Sequence, residues 1–481
     1  MKLSELLRGA AQLPEGIKDI QITKISSDTR DEIDSGTLFV CLKGAKFDAH
    51  DAVPELEKKG VGAVVTERDC AVGNQIIVPD TRLALSRIWA NMYSNPEKKM
   101  KFIGVTGTNG KTTSTYLLKH ILEQTLGAKV GLVGTIQNMI GDEVLETERT
   151  TPESFELQKL FAEMYAAGCT HVIMEVSSHA LTLDRVAGVH FAVGFFTNLT
   201  EDHLDFHKDM EDYYQAKKLL FGKCDTALIN IDDDYGKRLF DETECRKLSF
   251  SIKQNSDYYA DGIKLKAAGS SFWFCKGEKS HLVRIMIPGL FNVSNVTCAI
   301  AVCMELGISL DDIISAVEEY PGVKGRCEII PTGRDFTVIC DYAHTPDAIE
   351  NVLKSVREYT ENRLICLFGC GGNRDSAKRP KMATAAAKYA DKLIVTSDNP
   401  RNEDPEAIIR DILVGLENTS ADYDVVTDRR EAIYHALKIA QKGDIIVLAG
   451  KGHEDYQILA GGEHIHFDER EIVAQGLALL D

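Results

Sequence analysis

The run Ile103 to Thr113, IGVTGTNGKTT, constrains the fold more than any other stretch. Apolar, strand-forming residues lead straight into Gly107 and Gly110, and Lys111 and Thr112 open a helix-forming segment. Strand-like runs and helix-like segments then alternate: Lys111 to Leu126, VGLVGT, Glu153 to Ala167, HVIMEV, VGFFTNL, Met210 to Phe221 and TALIN. Such alternation predicts an α/β fold, a parallel sheet wrapped by helices. Residues 246–287 carry alternating, aromatic-rich runs (SFWFCKG, HLVRIMIPG) and are expected to form an antiparallel insert, followed by a helix from Val293 to Leu306.

Two polar breaks divide the chain. The segment YSNPEKKMK, residues 93–101, precedes the first strand of this pattern, and PGVKGR, residues 321–326, follows its last helix. Beyond the second break the alternation restarts with DFTVICDY, a helix from Pro346 to Tyr359, RLICLFG, a helix near Ala377 to Tyr389, DKLIVTS, a helix near Pro405 to Leu416 and DIIVLAG. A second α/β domain with its own sheet is expected there. The 481 residues suit about three domains, and we place the boundaries at 1–97, 98–324 and 325–481.

Charge narrows the function classes. Fifty-five basic against 73 acidic residues leave a net charge of −18, which argues against nucleic-acid and membrane-surface binding, so an anionic ligand has to be held by local devices. No run reaches the ~18–20 apolar residues of a membrane span, and the first residues lack the apolar stretch of a signal peptide. A cytoplasmic protein is expected. The 12 cysteines include no CxxC pair and are read as reduced, mostly buried thiols.

The chemistry-bearing residues cluster at strand ends. Backbone N–H groups of Gly107, Thr108, Asn109 and Gly110 are suited to cradle phosphates, with Lys111 on the outer phosphates and Thr112 and Thr113 opening the helix, Thr112 offering a hydroxyl to Mg²⁺. The usual pattern has a glycine at position 105, where this chain has Val105. Glu175 ends HVIME, where phosphate-loop enzymes place a carboxylate near the metal; the alternative is a charge that merely caps a strand. In TNLTEDHLDFH, His203 suits a hard cation or a phosphate oxygen, and His203 and His207 read equally well as solvated loop histidines. Three further clusters follow C-terminal strands: GCGGNRDSAKRP with Arg374, Asp375, Lys378 and Arg379; SDNPRNEDP with Asp398, Asn399, Pro400 and Arg401; LAGKGHEDY with Gly450, Lys451, His453 and Glu454. One such cluster reads as a surface loop, and three at the ends of one sheet favour a site for anionic groups.

With these motifs, and with SSDTRDEIDSGTLFVCLKG, TTPES, MEVSSHAL, AKKLLF and DYAHTPDA in the same order, the whole chain resembles the Mur ligases, the ATP-dependent amide-forming family of peptidoglycan precursor synthesis. It looks most like the members that add the third peptide residue to UDP-N-acetylmuramoyl-L-alanyl-D-glutamate. The resemblance implies an N-terminal UDP-binding α/β domain, a central P-loop ATPase and a Rossmann-like C-terminal domain. It implies that Thr29 and the stretch Ala45 to Phe47 lie near the uridine diphosphate, and that Thr150, Thr151, Ser177 and Arg185 hold the pyrophosphate and muramoyl-dipeptide. It further implies adenine contacts from Asn292 and Asn295, nucleotide contacts from Arg326, Asp341 and His344, and Mg²⁺ at Glu175 and His203. Lys217 of AKKLLF matches the lysine the family carries as a carbamate near a second Mg²⁺; taken alone, it reads as a solvated helix residue. Two positions depart from the family: Thr29 replaces a serine, and Asp48-Ala49-His50 lacks the glycine of a DGH-like turn.

The implied reaction is consistent with these side chains. A substrate carboxylate attacks the γ-phosphate of ATP, Lys111 neutralises charge on the transferring oxygens, and the acyl phosphate is then taken by an amine. DNPR is typical of the relatives that use meso-diaminopimelate, whose second carboxylate suits Arg401, with Arg374, Gly450 and Glu454 on the remaining amino and carboxyl groups. An L-lysine-adding relative is the alternative; a folate polyglutamating ligase and a non-catalytic nucleotide switch are more distant ones. The expected partners are small molecules, and the expected state is a monomer.

Overall fold

The structure, a computed structural model, describes residues 1–44, 47–147, 149–204, 206–266 and 269–480. Three main sheets follow one another along the chain. The first is four-stranded and parallel, ordered Lys24–Ser26, Thr37–Val40, Ala63–Thr66, Gln75–Ile77. Its two middle strands are buried at every residue, as expected of parallel strands covered on both faces. Helix Thr81–Met92 packs on it, and Asn91 Nδ2 donates to the carbonyls of Leu6 and Arg8, closing the end of the first helix. Ser86 Oγ, 2.7 Å from the Asp184 carbonyl, and Trp89, 4.4 Å from the Phe155 ring, tie this unit to the next.

Among the described residues the second sheet has 11 strands. Six central ones run parallel in the order Arg246–Ser251, Cys224–Asn230, Phe191–Phe196, Lys101–Thr106, His171–Glu175, Val130–Val133. Helices Lys111–Leu126 and Leu290–Glu305 cover one face around Ile103, Val105, Ile121 and Val296. The expectation of an antiparallel insert over 246–287 needs correction. Arg246–Ser251 is parallel to Cys224–Asn230, because helix Asp234–Glu242 carries the chain across between them. Only Tyr258–Lys266, Gly269–Lys276 and Lys279–Ile285 pair antiparallel, and they extend the same sheet. Alternating residues mark half-buried strands without revealing the direction of the partner. The helix expected from Val293 begins three residues earlier, at Leu290.

In the third sheet Thr337–Asp341, Ile445–Ala449, Leu364–Phe368, Lys392–Val395 and Tyr423–Val425 run parallel in that order, with Glu328–Ile330 antiparallel at one edge. The last parallel strand in sequence, Ile445–Ala449, is inserted between the first two. That reversal of order opens a crevice at the strands' carboxyl ends. No helix among the described residues is long and apolar enough to cross a membrane.

Below this crevice lies a buried ion pair. Arg429 and Glu469 each open a helix, neither side chain has any exposure, and Arg429 Nε lies 2.9 Å from Glu469 Oε1 while Nη2 lies 2.9 Å from the Ala449 carbonyl. Burial lowers the Arg429 pKa, and the Glu469 and Asp398 charges outweigh it, so the guanidinium is held above its ordinary value. Arg429→Met should therefore destabilise the C-terminal unit by about 3–5 kcal/mol, because it strands a buried carboxylate, and the double variant Arg429→Met/Glu469→Met should recover most of that loss. Urea unfolding followed within this unit measures both, and equal losses in the two variants would reject the account.

Candidate active site

The site is built where the second and third sheets meet. Most helices here start with a side-chain cap, among them Asp209, Asp233, Thr345 and Asp428. Helix Lys111–Leu126 instead starts at Gly110 in the left-handed region (φ 89°) with no side-chain cap, so its positive end is open to an anion. Gly107, at φ 148°, has no room for a side chain, since a Cβ there would lie 1.9 Å from Thr197 Oγ1. Residues 197–200, at the end of the neighbouring strand, hold the loop from behind. Thr108 N donates to the Asn198 carbonyl, Asn109 N to Asn198 Oδ1, and Thr197 Oγ1 to the Asn109 carbonyl.

Two lysines converge on this loop. Lys111 Nζ donates to the carbonyls of Gly107 (2.9 Å) and Thr108 (2.8 Å), and Lys217 Nζ donates to the same Gly107 carbonyl (2.8 Å) while lying 4.4 Å over the Tyr213 ring. The reading of Lys217 as a solvated helix residue is wrong: it is 2% exposed. Burial pushes its pKa well below the usual lysine value, Lys111 pushes it further, and Asp202 opposes them. Burial likewise lowers the Lys111 pKa, against the pull of Glu175 and Asp202.

Glu175 is fully buried at the end of the strand paired with Lys101–Thr106, opposite Val105. Its carboxylate accepts from Thr135 N (3.0 Å) and Thr135 Oγ1 (2.9 Å), and Thr150 Oγ1 lies 3.1 Å from the same hydroxyl. Thr151 Oγ1 donates to the Glu175 carbonyl and accepts from Ser177 N, and Arg185 Nη1 donates to the Thr151 carbonyl. Thr150, Thr151, Ser177 and Arg185 are thus gathered in one place, with Arg185 Nη2 also paired to Glu153 at 2.7 Å. His203 is exposed on its loop at φ 55°, 3.5 Å from Asp202, whereas His207 is buried between Ser178 Oγ (2.8 Å) and Asp212 (3.1 Å) and is no solvated loop residue. Among the described residues no three His, Cys, Asp or Glu side chains form a ready metal cluster. Thr112, Glu175 and His203 are therefore not closed into a cage by the protein alone.

Residues from the third sheet reach the loop from across the seam. Asp347 Oδ2, in the first turn of helix Pro346–Arg357, accepts from Asn109 Nδ2 and Thr200 Oγ1, both at 3.0 Å. Asp341 accepts from the backbone of Cys327 and Ala343, and the Arg326 guanidinium lies 5.0 Å over the Tyr342 ring with its buried Nε lacking a partner. His344 Nδ1 meets the Tyr342 carbonyl at 2.8 Å. On the helix behind the loop, Asn295 Oδ1 would lie 2.6 Å from a Cβ at Gly110. Asn292 Oδ1 and Asn295 Nδ2, one acceptor and one donor, are buried without protein partners.

The crevice of the third sheet gathers its own set. Gly371 separates Arg374 from Arg401, whose Nη1 donates to the Gly372 carbonyl at 3.0 Å. Asn399 Nδ2 donates to Glu454 Oε2 at 2.9 Å, and Gly450 (φ 118°) lies so close to Asp398 that a Cβ there would be 2.7 Å from Oδ2. Burial would raise the Asp398 pKa, but the Lys451 and Arg429 charges hold it below the ordinary carboxylate range. Pro400 is buried beneath this turn. Arg379, counted in the sequence among cations for a ligand, is instead buried and paired to Glu403 and Asp411.

In the first unit Thr29, Arg30, Leu42, Phe47, Ala49 and Arg82 line a cleft, with the Phe47 ring 56% exposed. Ala45 and Lys46 lie outside the described residues. The turn at Asp48 needs no glycine: Asp48 Oδ1 caps a short 3-10 helix, Ala49–Ala52, whose residues keep ordinary negative φ, and His50 Nδ1 lies 2.6 Å from the same oxygen. Sequence reasoning missed Thr135, Asn198, Thr200 and Asp347, although each stands just past a strand or at the start of a helix.

Residues 105–303 match the Mur ligase middle domain, and residues 325–452 match the Mur ligase, glutamate ligase domain. A Clostridium acetobutylicum protein named UDP-N-acetylmuramoyl-L-alanyl-D-glutamate--2,6-diaminopimelate ligase 1 is 46% identical over 99% of both chains. A protein of Caldanaerobacter subterraneus subsp. tengcongensis, named as a ligase of the same kind, is 47% identical over 99% of both. A solved structure of a UDP-N-acetylmuramoyl-L-alanyl-D-glutamate--2,6-diaminopimelate ligase superposes with a TM-score of 0.73 at 31% identity, covering 100% of this chain and 99% of that one. These domain matches, together with full-length relatives at 46–47% identity, make the chain a member of the Mur ligase family.

Proposed function

We propose that the chain is an ATP-dependent ligase that joins meso-diaminopimelate to the D-glutamyl carboxylate of UDP-N-acetylmuramoyl-L-alanyl-D-glutamate. The observation that carries this reading is that an uncapped phosphate loop gathering Lys111 and Lys217 is joined through Asp347 to the unit whose crevice carries Arg374, Arg401, Asn399 and Glu454. The names of full-length relatives at 46–47% identity agree with it. One sheet serves each task, and we divide the chain at 97/98 and 324/325: the first unit for the UDP moiety, the second for ATP, the third for the amino acid.

The residues present suit the nucleotide. The open helix end takes phosphates, and the unpartnered Asn292 acceptor and Asn295 donor complement the edge of a purine. Mg²⁺ typically takes one or two carboxylates and fills its shell from water and phosphate oxygens, so the hard donors Thr112 and Glu175, with His203 nearby in sequence to Asp202, fit it without a third carboxylate. Bound there, it supplies charge neutralisation at the phosphoryl oxygens. The plain ammonium of Lys217 does not fit beside a cation. Its lowered pKa favours the neutral amine, which forms a bond to carbon dioxide, loses a proton and becomes an anionic carbamate.

Catalysis then follows from the positions of the side chains. Arg185, Thr150, Thr151 and Ser177 hold the muramoyl substrate so that its carboxylate meets the γ-phosphate of ATP, and Lys111 stabilises the charge on the transferring oxygens. The crevice delivers the amine to the resulting acyl phosphate, which forms an amide and releases phosphate. Closure of the third unit on the second excludes the water that would otherwise take the amine's place.

Phosphate release from ATP should require both UDP-N-acetylmuramoyl-L-alanyl-D-glutamate and an amino acid; release that ignores the amine would favour a nucleotide switch, and release with a folate in place of the UDP substrate the folate ligase. Arg401 keeps Nε and Nη2 without a protein hydrogen bond among the described residues, so its fork is available to the distal carboxylate of diaminopimelate. Arg401→Ala should lower kcat/KM for diaminopimelate by about thirtyfold to several thousandfold, the equivalent of ~2–5 kcal/mol, and lower lysine use little. A parallel fall for both amino acids would remove Arg401 from substrate recognition, and a wild type that prefers lysine would reverse the substrate assignment.

A second expectation concerns Lys217. Wild-type activity should fall when carbon dioxide is stripped from the buffer and return with bicarbonate. Lys217→Ala should be nearly inactive, indifferent to bicarbonate, and partly restored by short carboxylic acids that replace the missing anion. An alanine variant as active as the parent would take Lys217 out of the site.

A further inference from the structure

Lys451 is completely buried, and the amino-acid crevice assigned above leaves it no contact with substrate. All three of its N–H donors are used, each on a different piece of the crevice: Asn399 Oδ1 at 2.5 Å, Glu454 Oε2 at 3.1 Å and the Tyr456 carbonyl at 2.7 Å. Asp398 Oδ1 lies 3.9 Å away. A buried ammonium is tolerated only when it is saturated in this way, and its loss would leave the Asp398 and Glu454 carboxylates close together with no cation between them.

The consequence falls on Glu454. Its Oε2 receives both Lys451 Nζ and Asn399 Nδ2, and Asn399 is itself locked in orientation because its Oδ1 also accepts from Ile458 N at 3.0 Å. Oε1 has no hydrogen bond among the described residues. We infer that Lys451 is a positioning residue for amino-acid selection: by occupying Glu454 Oε2 together with Asn399, it turns the single free oxygen, Oε1, toward the ammonium group of the incoming amino acid. The inference rests on the ligase reading above and adds to it the group that orients the acceptor. Arginine is no substitute, since a planar fork cannot address three acceptors arranged around a point charge.

This arrangement makes a distinctive demand on position 454. With Lys451 and Asn399 both donating to one side of the side chain, an amide there must present its oxygen to them and its NH₂ to the substrate, donor against donor. Glu454→Gln should therefore bind diaminopimelate more weakly than Glu454→Ala, whose vacated space admits water to the ammonium; we expect about a tenfold higher KM for the glutamine variant. Lys451→Met should raise the KM for diaminopimelate by about tenfold or more while the KM values for ATP and the UDP substrate stay within about twofold. The experiment is steady-state kinetics of the three variants and the parent, varying one substrate at a time. Should Lys451→Met not fold, the two Glu454 variants still decide. Glu454→Gln binding as well as Glu454→Ala, or a Lys451→Met loss spread equally over all three substrates, overturns the inference. A parent enzyme that ligates no amino acid overturns the ligase reading itself, a failure visible before any variant is measured.

Discussion

Two lysine amines, those of Lys111 and Lys217, donate to one carbonyl oxygen, that of Gly107, at the open end of a helix. Burial and the Lys111 charge press the Lys217 amine toward its neutral form, and the helix end adds its own partial positive charge to that of Lys111. Glu175 and Asp202 compensate in part, but the Glu175 carboxylate is already committed to Thr135. The loop is thus a concentration of positive charge in a chain of net charge −18, held there by burial and by the backbone contacts of Thr197 and Asn198. On the proposed reading, a nucleotide's phosphates relieve this imbalance on binding. The remaining architecture brings other groups to that point.

The crevice of the third sheet follows the opposite principle. Asp398, Glu454 and Glu469 are interleaved with Lys451 and Arg429, and each buried charge has a partner within 4.0 Å. Among the described residues the guanidinium of Arg401, the exposed Arg374 and one oxygen of Glu454 are left over. A zwitterionic amino acid with a second carboxylate offers the complement of that remainder. On the proposed reading the phosphate loop attracts by excess charge and selects little, while the nearly neutral crevice selects by geometry, because a ligand that fails to match leaves a desolvated charge unpaired.

Much of this was legible in the order of residues. The phosphate loop could be read because a strand, glycines and a helix start occur in one continuous run, where chemistry and conformation are both local. The three crevice clusters could be read because strand ends in a parallel sheet share one edge whatever the detail of packing. Burial is not local, and that is where reading failed. Lys217 looks like any lysine of a charged helix until Tyr213 and Gly107 enclose it, and Arg379 looks like a ligand cation until Glu403 and Asp411 claim it. Asp347 lies inside DYAHTPDA, yet its role was not legible, because its partners Asn109 and Thr200 are 238 and 147 residues away. The direction of Arg246–Ser251 was misread for a related reason: side-chain alternation reports exposure, and strand polarity is set by the crossover that precedes it.

The make-up of the seam between the second and third units has a mechanical consequence. Among the described residues its contacts include the two hydrogen bonds on Asp347, one from Leu290 N to Ser355 Oγ, the Lys324–Asp468 ion pair at 3.2 Å, and the Phe291 ring, which rests against the core of the third sheet. Neither sheet shares a strand with the other, so parting them leaves both hydrophobic cores whole. Hydrogen bonds of this kind are worth about 1 kcal/mol each, so they hold the two units together only weakly. On the proposed reading, closure of the third unit on the second asks nothing of either sheet, since both cores stay intact as the units approach or part.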